Sequence, residues 1–566
     1  MRVENARRKT LLCSLVASLF LTQADARETV TITSNGKNMF DLVFLDRYES
    51  NGNSGASTGT LSADQKRVIR TAAQLWADIL SPGSKNEYAP TINVVADGSG
   101  EASKTASFYT TWFKQDPTSS ALGDAFIHNT YGGISVSELT NGLYNSWERF
   151  LSENPRYRGQ YPRTFNGGTM HMGTQVESDI TLIDEPSMIS KRDVIPVAIH
   201  EIGHGLGVSL NIMADNVYDK YGNNYRTNKS AVNRNVGKFM DSGVTYRGRK
   251  TLEVLGNEYV NRMGGLPLNG DEGEYQIEGS HFELDNSLQS HQMWRNWVFF
   301  MEAEMAVLVD LGYDIDLKRF YGYSVYGDNQ YLINRNPFYA RANNAWLNGT
   351  PNTETYGIGL HIYGKNNNIT QAANLLADGK ASAGVRIDGS GNTFTLDRGV
   401  RVTGNGINGM GIYTAFGKEH DITINGDVEA TGKNGIAIRA DFGENTLGDY
   451  EGRGSHFRWE KYSNGKFGST LYNSKSDPTK GGLLNQGYDN RAPEMDLDGA
   501  LITNLNINGK VKGSDAAVYI AKNAHVENIN IGNGADITGD IKSDWEANLE
   551  WLYDMSSDVY NSLYNN

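Results

Sequence analysis

Cysteine is almost absent: the chain of 566 residues holds one, Cys13. A single thiol excludes intramolecular disulfides and any metal site built from several thiolates. Long apolar runs are also missing after the N-terminal segment, so no membrane-spanning helix of roughly 18–20 residues is expected there. Positive charge is in deficit, with 52 Lys and Arg against 66 Asp and Glu for a net −14. No dense basic block follows the first few residues, which excludes nucleic acid and anionic membrane surfaces as the principal partner. Proline is scarce, at 12, whereas glycine reaches 63, about 11% against a usual ~7%. That imbalance points to repetitive, turn-rich β structure rather than to a disordered linker protein. The length is more than three times a typical domain of ~150 residues, so a single small binding module is excluded.

The N-terminus has the layout of a secretory signal peptide over residues 1–26. Arg2, Arg7, Arg8 and Lys9 form the basic part, Leu11 to Leu21 the apolar part, and Ala24-Asp25-Ala26 the small-x-small cleavage site. Cys13 falls inside it, with apolar residues continuing beyond, which argues against a lipidated cysteine. The mature chain is therefore expected to be exported, without cysteine, to the extracellular space or a bacterial cell surface.

Two composition regimes follow. From Arg27 to Gly327 the pattern is mixed α and β. Val68, Ala72, Leu75, Trp76 and Ile79 recur at helical spacing between Leu61 and Leu80, and Pro90 to Ala96 reads as a strand. A helix is expected from an N-cap at Asp193 towards Leu206, with Gly207 as its C′ residue. Another is expected from His291 to Leu311, with Trp294, Trp297, Met301, Met305 and Leu308 on one face. Residues 328–352 read as a linker. From 353 to 543 a repeat takes over: Gly359-Leu-His-Ile362, Gly384-Val-Arg-Ile387, Gly411-Ile-Tyr-Thr414 and Gly435-Ile-Ala-Ile438 recur every 24 to 27 residues, and Ala517-Val-Tyr-Ile520 is a later copy. That period, with several short strands per repeat, fits the coils of an all-β right-handed parallel β-helix, although an ordinary antiparallel β domain remains the alternative. A stretch near 448–493, rich in Gly, Asn and Ser, reads as a loop extruded from the stack. Residues 544–566 read as a helical cap or a truncated tail. The halves are expected to fold independently.

The chemistry concentrates in Ala198-Ile-His200-Glu201-Ile-Gly-His204-Gly-Leu-Gly207. On a helix, i, i+4 spacing places His200 and His204 on one face, where both imidazoles can reach one Zn²⁺. Glu201, one position on, stands beside the ligand vertex, where it can take a proton from a zinc-bound water. The plain alternative is a pair of satisfied core histidines.

His200-Glu201-x-x-His204-x-x-Gly207 resembles the zinc helix of the metzincin metallopeptidases, whose pattern adds a histidine three residues after the glycine. Here that position is Leu210. Leishmanolysin-like metzincins depart in the same way, with a third histidine tens of residues later in a Ser-His-aromatic context, then a methionine turn and a helix. Ser280-His281-Phe282 resembles that context, and Met293 is the candidate for the methionine turn. The resemblance, over about residues 60 to 315, implies an α+β catalytic domain in which His200, His204 and His281 hold the zinc. Other candidates for the third ligand are His291, His171 and His128, or Glu302 or Glu304 in a gluzincin-like arrangement. Gly168 to Gly173 is a candidate edge strand for an extended peptide substrate. Tyr246, Tyr259 and Tyr275 are candidates for stabilising an oxyanion.

The second half resembles the β-helical passengers of bacterial autotransporters, which end in a membrane barrel. No such strands precede Asn566, so truncation or another export route is expected, with the outer membrane reached only through a translocator outside this chain. The whole reads as a secreted or surface-displayed zinc endopeptidase acting on protein or peptide substrates. The alternatives are an adhesin, in which the β-helix binds and the metal domain is structural or inactive, and a carbohydrate-active β-helix.

Overall fold

The computed structural model describes residues 27–49, 56–84, 89–99, 106–110, 168–176, 178, 180–188, 194–237, 242–270, 277–284, 287–290, 298–441, 455–461, 467–473, 500–521 and 524–545. The expected signal peptide, the N-cap Asp193, and His128, Tyr275, His291, Met293, Trp294 and Trp297 lie outside the described residues, as does the expected cap beyond 545.

A five-stranded mixed sheet opens the fold, from β1 (Glu28–Ser34), β2 (Lys37–Phe44), β3 (Thr91–Asp97), β4 (Ala106–Thr110) and β5 (Gly168–Gly173) in the order β1-β2-β3-β5-β4. β2, β3 and β5 run parallel, while β1 and β4 pair antiparallel and are the edges among the described residues. Helix α1 (Ala63–Leu80) crosses between β2 and β3. Ser62 and Gln65 close a reciprocal capping box at its start, satisfying N–H groups that the first turn leaves unpaired. Val68, Ala72, Trp76 and Ile79 form its buried stripe, as their spacing predicts.

Helix α2 (Val194–Leu206) packs on α1, with the Trp76 indole N–H donating to Ile199 O at 3.1 Å. Next comes a four-stranded antiparallel sheet, β6 (Val217–Asp219), β7 (Val244–Tyr246), β8 (Leu266–Gly270) and β9 (Ile277–Phe282), with α3 (Tyr225–Asn235) and α4 (Arg249–Met263) between its strands. Helix α5 spans Glu302–Asp310, shorter than the His291–Leu311 expectation. Residues 298–301 are not helical; Met301 is extended, and the Glu304 carboxylate accepts its N–H at 2.6 Å, which fixes the helix start there. A helix buried nearly all round also lacks the single apolar face expected of it.

The remainder is a parallel β-helix-like stack of three sheets with seven, six and five strands. The first sheet runs through Tyr321–Val325, Ile358–Ile362, Ala383–Ile387, Met410–Thr414, Ile436–Ala440, Ala516–Ile520 and Ile541–Ser543. Leu360, Val385, Ile412, Ile438 and Val518 share one level of it, and Ile369, Phe394, Ile422 and Leu505 share one level of the second. All nine are buried in one core, the stacking that a coil unable to bury its own apolar face requires. The stack begins at Tyr321, so the expected linker is part of the first coil: Tyr331–Asn334 pairs in parallel with Asn368–Gln371, and Arg341–Ala342 and Ala345–Trp346 form a small hairpin. Within the expected loop insertion, Ser455–Lys461 and Phe467–Asn473 pair antiparallel. The stack resumes in register beyond it, Ile502–Ile507 pairing with His420–Ile424.

Contrary to the expectation of independent halves, they share one core. Phe299, Phe300, Met305 and Leu308 cluster with Tyr321, Tyr356, Ile358, Ala383, Met410 and Tyr413 of the coils. Phe299 stacks on Tyr356 at 5.6 Å, and the Tyr321 hydroxyl donates to Phe300 O at 2.5 Å. Further along, Lys433 pairs with Glu185, and Asn408 Nδ2 donates to Glu185 O and Pro186 O. The middle coils, just ahead of the strands at Met410 and Ile436, thus brace the segment that leads into α2.

The outer row of this face is buried and charged. Asp388 binds Arg386 at 2.7 Å and 3.0 Å and His361 Nε2 at 2.7 Å. Burial alone would raise its carboxyl pKa, but the Arg386 guanidinium and His361 overcome this and hold it at about 2. Burial pushes the His361 imidazole down, against the opposing pull of Asp388.

Candidate metal centre

Two of the three histidines come from one helical face and the third from a strand. His200 and His204 lie one turn apart on α2. His281 arrives on β9, whose pairing with β8 is irregular between Leu268 and Gly270. Gly279, at φ 64°, lies in that bulge, a device that turns a strand and re-aims its side chains.

The Nε2 atoms converge: His204 to His200 at 3.0 Å and His281 to His200 at 3.2 Å. The other ring nitrogens of the helical pair meet backbone carbonyls, His200 Nδ1 with Leu288 O and His204 Nδ1 with Val208 O, both at 2.8 Å. A carbonyl only accepts, so each Nδ1 carries the proton and each Nε2 presents a lone pair. The two helical lone pairs, facing one another at 3.0 Å, repel unless a cation lies between them or a donor such as the Gln289 amide, 3.1 Å from His204 Nε2, takes one of them. Tetrahedral ligands held about 2.0–2.1 Å from a zinc stand about 3.3–3.4 Å apart, close to the separations found. Carbonyls that fix the tautomer of ligating histidines are the usual outer support of such a site. The donor set therefore fits zinc, and among the described residues His200, His204 and His281 form the one group of potential metal ligands.

Gly207 explains the support of His204. At φ 124° it leaves the helix in a conformation that favours glycine, and the turn returns the Val208 carbonyl to His204. Leu210, where the common metzincin pattern has histidine, begins the short helix Leu210–Met213. Glu201 follows His200 on α2 and is 5% exposed.

The floor of the site is a turn through Ser287, Leu288, Gln289 and Ser290, none of which the sequence singled out. Leu288 supplies the carbonyl to His200, and Gln289 Nε2 lies 3.0 Å and 3.1 Å from the two ring nitrogens of His204. Glu304 holds this turn, accepting from Ser287 Oγ at 2.5 Å and Gln289 N at 2.8 Å. Behind α2, the Phe300 ring approaches Gly203 and meets Trp76 edge-on at 5.1 Å.

Several expectations are corrected. Glu304 is a structural cap, and Glu302 is engaged by Lys318 at 2.7 Å and Ser324 at 2.8 Å; neither belongs to the ligand group. His171 lies outside it too, with Nδ1 3.1 Å from Asp97. Gly168 to Gly173 is not an edge: β5 lies between β3 and β4, and among the described residues β4 is the edge, next to α2. Tyr246 is buried within β7 and Tyr259 packs against Tyr326 at 6.1 Å, so both belong to the core. No protein-family model, curated protein or solved structure matches this chain.

Proposed function

We propose that the chain is an exported zinc endopeptidase of the metzincin type, with its catalytic half built against a right-handed β-helix resembling an autotransporter passenger. The observation that carries this reading is the convergence of three histidine Nε2 atoms, two of them on the helix that also carries the buried Glu201. His200, His204 and His281 would hold the zinc, which when bound supplies Lewis acidity to a water and to the scissile carbonyl. Glu201 takes the proton of the attacking water and passes it to the leaving amine. Leu288 O and Val208 O keep the two helical imidazoles in the ligating tautomer. β4, an edge among the described residues and next to α2, would be the strand with which an extended peptide pairs, the role first expected of the strand at 168–173. Export rests on the layout of residues 1–26, and display at the surface on the stacked coils.

The test is cleavage of an unfolded protein such as reduced casein by the zinc-loaded full-length chain and by Glu201→Gln. The variant should keep its zinc and lose orders of magnitude in rate. Equal rates would remove Glu201 from the mechanism. A zinc-loaded wild type that cleaves nothing would leave the β-helix as the working part, as in the adhesin reading.

A further inference from the structure

A groove of about 590 Å³ separates α4 from the first coil, and it shares no residue with the histidine cluster. Its volume lies within the roughly 300–1,000 Å³ of small-molecule sites. Glu302, 1% exposed, lies in its lining with both carboxylate oxygens occupied by Lys318 Nζ and Ser324 Oγ. Lys318 also donates to Gly322 O at 3.0 Å. An ammonium has three N–H donors, so one remains for a ligand. The solenoid wall carries Tyr323 and Trp346. Trp346 is fixed in its hairpin by Arg341, 4.5 Å over the ring, and by Phe338 against its edge. Gln330 and Asn336 complete that wall, their amide groups donating to Asp328 O at 2.8 Å and to Asn334 Oδ1 at 2.7 Å. Their amide oxygens remain as acceptors.

The charges here are already matched: Lys318 with Glu302, Lys250 with Glu253 at 2.9 Å, and Glu258 with Arg262 at 3.4 Å and the Asp328 N–H at 2.7 Å. An ionic ligand would have to break existing pairs, whereas a neutral one with many hydroxyls would not. Aromatic faces suit the C–H faces of a sugar ring, and the adjacent donors and acceptors suit its rim of hydroxyls. We propose that this groove binds a neutral oligosaccharide of a few sugar rings, through the Trp346 and Tyr323 faces and the polar groups of Lys318, Gln330 and Asn336. The chain would then hold a carbohydrate-recognition site separate from its metal centre.

The test uses the full-length protein against an immobilised panel of neutral di-, tri- and tetrasaccharides of glucose, galactose, mannose and N-acetylhexosamines, followed by calorimetry with the best binder. Wild type should bind at least one of these, Trp346→Ala should weaken it tenfold or more, and Asn336→Ala, at an exposed position, should weaken it several-fold. Absence of binding to the whole panel overturns the proposal. So does binding that neither substitution alters. A casein peptide that binds in a Trp346-dependent way while no sugar does would make the groove an extension of a peptide site instead.

Discussion

Replacing Gly203 by alanine probes how tightly the helix of His200 and His204 is held from behind. An added Cβ would lie 2.6 Å from Phe300 Cζ and 3.2 Å from Gln289 Oε1, against a favourable carbon–carbon separation of about 3.5–4.0 Å. Neither neighbour can move easily. Phe300 is fully buried, wedged against Trp76, with its carbonyl bound by Tyr321. Gln289 is buried, and its backbone N–H is tied to Glu304. Alanine gains about 0.8–1 kcal/mol over glycine in a helix interior, whereas overpacking a full core costs about 1–3 kcal/mol. The clash wins in most of that range, so a net loss of about 1 kcal/mol is expected. The helix relieves it by backing away from Phe300, carrying His200 and His204 away from His281. Metal sites tolerate only about 0.2 Å in ligand distance, so zinc affinity should fall tenfold or more. Competition against a chromophoric chelator reads the affinity, and a thermal melt of the metal-free protein reads the stability. Phe300→Leu in the same chain should restore part of both. If Gly203→Ala binds zinc as tightly as wild type and melts no lower, the packing argument is wrong.

Acid should weaken the protein through the buried row between its halves. The folded pKa of Asp388 is depressed, so its stabilisation is present above the unfolded value near 3.8 and is lost as pH falls towards about 2; the shift corresponds to about 2 kcal/mol. His361, also depressed, loses its contribution as pH falls below its ordinary 6.5. Denaturant midpoints measured from pH 7 down to pH 2 should therefore decline, and Asp388→Asn should flatten the lowest part of the decline. A flat profile would contradict the burial of these groups. A chain ending at residue 352 should be unstable and hold zinc poorly, because it loses Tyr356, Ile358, Met410 and Tyr413 from the shared core. Exposing Phe299 alone costs about 1.5–3 kcal/mol. A truncated chain as stable as the whole, by circular dichroism and zinc content, would show that the halves are independent.

The elements legible in the sequence were those written locally. Helical spacing placed His200 and His204 on one face, and the recurrence of Gly-x-x-Ile or Gly-x-x-Thr placed three coils in register and the fourth two residues early, since Gly411 stands level with Ala437 rather than Gly435. What escaped depends on contacts between distant segments. The first coil was hidden because Gly322 stacks on Gly359 while Tyr323 stands where the later copies have Leu360, Val385 and Ile412. The inserted hairpin also lengthens that coil beyond the period. The edge strand was misplaced because sheet order is not sequence order: β5 follows β4 in the chain yet inserts beside β3. Glu302 and Glu304 invited a ligand reading because acidic side chains in an apolar helix demand partners, and those partners are Lys318, Ser324 and the turn at Ser287. Gln289 and Leu288 carry no motif at all. Only the fold brings them under the histidines.

If His200, His204 and His281 together hold one zinc, the metal's own spectrum must show all three. Zinc-edge X-ray absorption on the full-length protein, loaded with one equivalent of metal, tests it most directly. Wild type should show three imidazole nitrogens at about 2.0–2.1 Å, and His281→Ala should lose one of them while Glu302→Ala and Glu304→Ala keep all three. A spectrum with two imidazoles and a carboxylate, unchanged by His281→Ala, would contradict the account.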